Sequence, residues 1–296
     1  MIVEHGAPVV ASAEPPAPAK VGRSARAAVI FSGDIPENAQ IAAEIVRRGA
    51  DQVTVYDLST HPNDAISFVT EIERADPDRI IAVGLQAAIL ARRIPGKAMV
   101  FCQVYNYQDH DLVSTTSKGV QLLPPFDLQL AAWRGLARNL RRIGVITGPG
   151  HDELIAEMRR AATTFDMVLT VQTAHSDREA LLVFKELAPN IEGLWLLPDN
   201  RILSPDVIRE IMSDSLRYRT QVAAFSERML KSGALISLTS VPRDVVDRVL
   251  ARFDDVDRDG RLGGPAMLGL TAIHTTVNNE VATLLGLRVP ERLAQR

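Results

Sequence analysis

The sequence carries a single cysteine, Cys102, in 296 residues. One thiol excludes an internal disulfide and leaves the redox compartment open. It lies in the apolar run Met99-Val100-Phe101-Cys102, where a free cysteine acts as a small hydrophobe rather than a nucleophile. No apolar run approaches the ~20 residues that a transmembrane helix needs. Basic residues are not in excess either. Lys and Arg number 33 against 36 Asp and Glu, a net charge of −3, which argues against a general nucleic-acid binder. The six histidines are scattered. They form no HExxH motif and no closely paired ligands, so no metal and no cofactor are expected. There is no GxSxG elbow.

Two motifs are incomplete in informative ways. Thr147-Gly148-Pro149-Gly150 follows an expected strand and precedes an expected helix. It lacks the third glycine of a dinucleotide fingerprint and has no Walker lysine. The carboxylates Asp152 and Glu153 in the next helical turn suit the macrodipole and repel phosphate. The segment therefore reads as a tight turn at a cleft, with His151 exposed beside it. Asp255-Val256-Asp257-Arg258-Asp259-Gly260 copies the first half of an EF-hand loop. Position twelve is Ala266 instead of the bidentate glutamate, and Pro265 stands where the exiting helix should begin. A solvated acidic crossover is the stronger reading of 255–264, and a loose calcium site the weaker one.

What is present is enough apolar material for two cores: 46% of 296 residues. Met1 to Val10 has no basic n-region and only a short, interrupted apolar stretch. The Ala- and Pro-rich segment that follows makes residues 1–26 a flexible tether. From Ala27 onward, strand and helix patterns alternate. Ala27–Phe31 is a continuous apolar run, as in a parallel strand covered on both faces. Asp34, Pro36 and Glu37 then supply a cap, a first-turn proline and a carboxylate for a helix that stops at Gly49. Strands follow at Gln52–Leu58, Arg79–Gly84 and Ala98–Val104, with helices at Pro62–Arg74 and Leu85–Arg92. A second series begins at Arg142. Its strands are Arg142–Thr147, Met167–Thr173, Gly193–Leu197, Gln221–Phe225 and Ala234–Leu238. Its helices are Asp152–Thr164, Asp177–Leu187, Pro205–Arg217, Glu227–Lys231 and Pro242–Phe253.

This pattern predicts an α/β protein of two doubly wound, Rossmann-like lobes with a hinge and a central cleft. The N-terminal lobe is expected over 27–125, completed by about 265–296. The C-terminal lobe is expected over 126–254. In such sheets ligands bind at the carboxyl ends of the strands. The loops there hold Ser32, Gly33, Leu85, Gln86, Tyr105, Asn106, Thr147, Gly148, Asp199, Asn200 and Ser226, and facing lobes would converge them on one cleft. Asp199 is expected to accept from a ligand amine, with Asn200 beside it. Gln86 and the adjacent amides are expected to hold an anionic end, and Tyr105 to form an aromatic wall.

Phe31-Ser32-Gly33-Asp34, Ala82-Val83-Gly84-Leu85-Gln86-Ala87-Ala88, Ala98-Met99-Val100-Phe101, Asp199-Asn200 and Gly233-Ala234-Leu235 occur in an order that resembles one family. The C-terminal run Thr275-Thr276-Val277-Asn278-Asn279-Glu280 to Pro290 fits it as well. The resemblance is to substrate-binding proteins of the ABC sub-bind type, similar to tryptophan- and tyrosine-binding components of ABC importers. It implies a bilobed fold of the type I periplasmic binding proteins, closure on a small solute, an ABC permease as membrane partner, and a monomer. It also implies a periplasmic or membrane-tethered location, with a cytoplasmic form as the alternative. Asn106 and Ser226 stand where the family usually has Asp. Losing two acids widens the expected ligand from an amino acid to a small polar or aromatic solute. The alternative functions are a solute-sensing subunit for a membrane signalling partner and an α/β enzyme acting on a sugar or nucleotide. The sequence offers only Asp199 and His151 as groups for the latter.

Overall fold

The computed structural model describes residues 26–48, 52–60, 65–254, 256–257 and 259–291. The expected tether falls outside them except for Arg26, as do Gly49, where the first helix was expected to stop, and Asp255 of the acidic loop.

The first half of the chain folds as β1 (Ala27–Phe31), α1 (Pro36–Arg48), β2 (Val53–Asp57), α2 (Ala65–Ala75), β3 (Arg79–Val83), α3 (Leu85–Ala91), β4 (Ala98–Cys102) and β5 (Ser117–Val120). Next come α4 (Phe126–Leu136), β6 (Arg142–Thr147), α5 (Asp152–Thr164), β7 (Val168–Thr173), α6 (Asp177–Leu187), β8 (Gly193–Trp195), α7 (Pro205–Arg217), β9 (Gln221–Ala224) and β10 (Ile236–Thr239). The chain ends with α8 (Pro242–Asp254), β11 (Met267–Leu268), β12 (His274–Val277) and α9 (Asn279–Leu284). No described helix is long and apolar enough to cross a membrane.

The strands form two sheets of six, in the orders β11-β5-β4-β3-β1-β2 and β12-β10-β9-β8-β6-β7. Each sheet is covered on both faces. Every residue of β1 and β4 is buried, which is why both segments read as unbroken apolar runs. On the first sheet, Ile41 and Ile45 of α1 share one core with Val29, Val83 and Val100, while Phe68 and Ile72 of α2 pack with Ile30 and Ile80 on the other face. On the second sheet, Trp133 of α4 and Met158 of α5 lie in one core, and Phe184 of α6 and Ile211 of α7 in the other. This is a bilobal α/β architecture, as expected from the alternation of patterns.

The lobes are not divided where the sequence suggested. Helix α8 belongs to the first lobe: Val245, Val246, Val249 and Phe253 pack with Val29, Ile41 and Val100. Its Asp244 carboxylate then accepts from the amides of Thr271 and Ala272 at 2.7 and 2.9 Å, pinning the connection to β12. β12 returns to the second sheet, antiparallel to β10, and Val281 and Ala282 of α9 complete the second core. The expected boundary at 254 is therefore revised. The expected return of 265–296 to the first lobe holds only for its start, where β11 pairs with β5 and Leu270 enters the first core, while β12 and α9 belong to the second lobe. The chain crosses between lobes at 121–125, again at 240–241, and again between β11 and β12. A βα pair normally packs on one sheet, so nothing in the pattern marked Ser240-Val241 as a crossing.

Other differences are local. β5 and α4 fill a stretch for which the pattern gave no element, and Glu227–Ser232 is a 3-10 helix. Among the described strands, β12 makes the only antiparallel ladder, with β10. Asp257 Oδ1 accepts from the amides of Asp259 and Arg261 at 2.9 and 2.8 Å, so that carboxylate closes a turn.

Candidate functional site: the cleft between the lobes

In each sheet the strand order reverses at one place. β1 lies between β3 and β2, and β6 lies between β8 and β7, all parallel. These are the switch points at which open α/β sheets bind ligands. In the first lobe the carboxyl ends of β1 and β3 place Ser32-Gly33 beside Leu85-Gln86. The Gly33 amide donates to Asp57 Oδ1 at 2.9 Å, and Ser32 donates to Asp34, so the loop is pinned and Asp34 does not act as a helix cap. Gly84 has φ +93°, and a Cβ there would sit 2.6 Å from Asn38 Nδ2. Only glycine permits both that conformation and the approach of α1 to the start of α3. In the second lobe the ends of β6 and β8 place Thr147-Gly148 against Asp199.

The lobes meet beside these points, through the segment that follows β4. Asn106, buried beyond β4, donates from Nδ2 to Asp199 Oδ1 and Asn200 Oδ1, both at 3.2 Å. The rings of Tyr105 and His151 pack across the lobes with centroids 4.7 Å apart. At another edge Ser226 donates to Glu37 Oε1 at 3.2 Å. Of the candidate residues, Tyr105, Asn106, Thr147, Gly148, Asp199 and Asn200 thus gather at one point. Ser226 lies at a second interlobe contact. Ser32, Gly33, Leu85 and Gln86 lie at the carboxyl ends of β1 and β3 and make no described hydrogen bond to the second lobe.

Asp199 is fully buried and its oxygens are taken. Gly148 N donates to Oδ2 at 2.9 Å. Arg201 donates from Nε to Oδ1 at 2.9 Å and from Nη2 to Oδ2 at 2.8 Å, and its amide adds a further bond at 3.1 Å. Burial works against ionisation of Asp199. The Arg201 guanidinium, His151 and the amides of Gly148 and Arg201 outweigh it and hold the carboxyl well below the usual range. The expected role of Asp199 as acceptor for a ligand amine is therefore corrected: the carboxylate is a strut within the protein. His151, expected to be exposed, is buried at 8% exposure. Its Nε2 lies 2.7 Å from Arg201 Nη2 and 3.5 Å from Asp199.

Arg201 is the residue that sequence reasoning missed. Its Nη1 reaches Asp109 Oδ2 of the first lobe at 3.0 Å, and Nη2 also donates to the Pro149 carbonyl at 3.1 Å. The signal was a cation immediately after the Asp199-Asn200 pair, where a short-range partner for a buried acid is expected.

Polar capacity remains at this junction. Asn106 Oδ1, Thr147 Oγ1 and Tyr105 OH are buried and make no hydrogen bond of good geometry. Burial pushes the Tyr105 phenol up, with a smaller opposing effect from the neighbouring Thr147 hydroxyl. Beside the junction lies a cavity of about 480 Å³, lined by Glu37, Gln103, Pro198, Phe225, Glu227 and His274 among others. That volume falls in the range of small-molecule sites. Glu227 is paired with His274 at 2.8 Å. Cys102 is buried and its thiol is pushed up to about 12 by desolvation, which suits packing rather than nucleophilic attack. Among the described residues there is no cluster of His, Cys, Asp and Glu able to hold a metal ion.

No family model matches the chain, and no curated protein matches it either. Solved structures do. One is an ABC domain in complex with L-Trp from Streptococcus pneumonia, with TM-score 0.63, 13% identity, and coverage of 92% of this chain and 98% of that one. Another is the ligand-free, open structure of a substrate binding protein with adhesive properties from Clostridium difficile. It has TM-score 0.66 and 12% identity, covering 90% and 96%. A third is a putative ribose operon repressor from Burkholderia thailandensis, with TM-score 0.54 and 14% identity, covering 86% and 100%. At these identities the likeness concerns architecture: the chain has a periplasmic-binding-protein-like fold.

Proposed function

We propose that this chain is a non-catalytic solute-binding protein whose ligand sits between the facing switch points and whose lobes close around it. The observation that carries the reading is Asn106. It is buried in one lobe, holds Asp199 and Asn200 of the other, and keeps its carbonyl oxygen unpaired. A buried polar atom without a partner is costly, and a polar ligand removes that cost. The ligand class is a small polar or aromatic solute. Gln86, Asn106, Asn200 and Ser226 would supply hydrogen bonds, and Phe225 and Tyr105 apolar contact. With Asp199 engaged, an ammonium group, where the ligand has one, would turn to Glu37 or Glu227 on the wall of the 480 Å³ cavity.

The finer reading is the binding component of an ABC importer, working outside the cytoplasmic membrane as a monomer and delivering its solute to a permease. The likeness to the L-Trp complex and to the substrate binding protein supports it at the level of architecture. A thermal-shift screen against amino acids, aromatic acids, purines and sugars tests it. A ligand at ~100 times its dissociation constant adds about 2.7 kcal/mol, which for a protein of this size raises Tm by a few degrees. A shift that vanishes in Asn106→Ala supports the cleft. A shift that survives in both Asn106→Ala and Asn200→Ala places the ligand elsewhere.

A further inference from the structure

A second and larger cavity, of about 930 Å³, lies on another side of the Tyr105–His151 contact. It shares the crossing segment Leu122–Pro124 with the first cavity, but its remaining lining is different. One wall is the face of α5 that carries Glu153, Ala156, Glu157 and Arg160. The opposite wall is Tyr105, Tyr107 and Gln108 of the first lobe together with 265–270, and Phe126 and Asp127 close one end. The lining thus combines apolar and aromatic residues with the carboxylates of Asp127, Glu153 and Glu157 and one cation, Arg160.

These carboxylates are not spent. Among the described residues, Asp127, Glu153 and Glu157 make no ion pair and no side-chain hydrogen bond, whereas Asp199, one contact away, has every oxygen engaged. Glu153 of the second lobe faces Tyr107 of the first closely enough to raise its phenol, after the larger effect of burial. A ring and a carboxylate that line the same cavity from different lobes can serve as the two halves of a cation site. The quadrupole of the ring and the charge of the acid attract the same ammonium, and Phe126 and Leu154 shelter an attached apolar body.

We infer that this cavity is a second binding site, separate from the solute cleft, for an organic ammonium ion with an aromatic or aliphatic body. Its two walls belong to different lobes, so an occupant senses the angle between them. By linkage it changes solute affinity in the main cleft, and the solute changes its affinity in return.

The test is isothermal titration at low ionic strength with 2-phenylethylamine, using 2-phenylethanol and phenylacetate as matched controls. Saturable binding of the amine and of neither control is expected. The double variant Glu153→Gln/Glu157→Gln should weaken it by about tenfold. Gln86→Ala, which alters the proposed solute cleft and removes no described interlobe hydrogen bond, should leave it unchanged. Both substituted glutamates are exposed on a helix surface, so the variant is expected to fold, and its melting temperature reports that directly. Absence of saturable heat, equal binding of 2-phenylethanol, or unchanged affinity in the double variant would overturn the site. Binding lost in Gln86→Ala but kept in the double variant would put the amine in the solute cleft, which overturns this inference while sustaining the proposed function.

Discussion

Arg201 grips both oxygens of Asp199, at 2.9 and 2.8 Å, and passes its remaining guanidinium nitrogen across the cleft to Asp109 at 3.0 Å. The pair is asymmetric. Asp199 has no exposed surface, while the Asp109 side chain is 44% exposed. The first contact is a buried two-point bond that shapes the loop after β8. The second is a single solvent-facing bond between lobes, of the kind that yields when the lobes separate.

Removing the inner partner should be costly. Arg201→Met leaves the Asp199 carboxylate buried with only amide donors and His151 beside it, and breaking a buried pair on one side typically costs about 3–5 kcal/mol. Urea unfolding should show that loss. Arg201→Lys, which keeps the charge without the fork, should fall between it and the parent.

Gly148 and Gly150 separate space from backbone. A Cβ at Gly148 would meet Arg201 Nη2 and Asp199 Oδ2, each at 2.7 Å, whereas at Gly150, with φ +85°, it meets nothing. Gly150→Ala should cost about 1–2 kcal/mol for the left-handed backbone alone. Gly148→Ala should displace the Asp199–Arg201 pair, cost about 1–3 kcal/mol, and weaken solute binding as well. Paired unfolding and binding curves distinguish the two.

Acid should loosen the molecule through Asp199 and Asp244. Burial opposes ionisation of each. Donors overcome it: Arg201, His151 and amides for Asp199, and Thr271, Ala272 and Arg248 for Asp244. Both folded pKa values lie below the unfolded value of about 3.9. Their stabilisation is therefore full above that pH and is lost as pH falls through the folded values, because the unfolded chain takes up protons first. Stability measured from pH 6 downward should decline from about pH 4, and the decline should be shallower in Asp244→Asn.

The outer partner should govern motion. Asp109→Asn removes the charge of the interlobe bond, which is exposed enough to be worth about 1 kcal/mol or less. The open population should rise by up to about fivefold, visible as a larger radius of gyration in small-angle scattering. Solute association should quicken and dissociation quicken more. Added salt should mimic the variant in the parent protein.

The lobes were legible because parallel strands covered on both faces must be apolar throughout, as in Ala27–Phe31 and Ala98–Cys102. The helix starts at Asp177 and Pro205 were legible, and the structure caps them locally, with Ser176 and Ser204 each accepting from an amide of the first turn. The position of α8 was not, because its apolar stripe fits either lobe and only tertiary packing decides. The same holds for the site. Strand ends marked Asn106, Thr147, Asp199 and Asn200, since a carboxyl end is a property of order along the chain. That Asp199 would be saturated depended on Arg201 folding back over Gly148, a contact set by loop conformation. Asn106 reaches the second lobe only because three crossings fix the lobe angle, and no periodicity encodes that.

The most direct test of the interlobe cleft is calorimetric titration of the solute found by screening, into the parent protein and into Gln86→Ala and Asn200→Ala. One substitution lies in each lobe, and neither residue is part of a core. A ligand held between the lobes should lose about tenfold in affinity, or 1.4 kcal/mol, on either substitution. Loss from one lobe alone, or from neither, would contradict binding between the facing switch points.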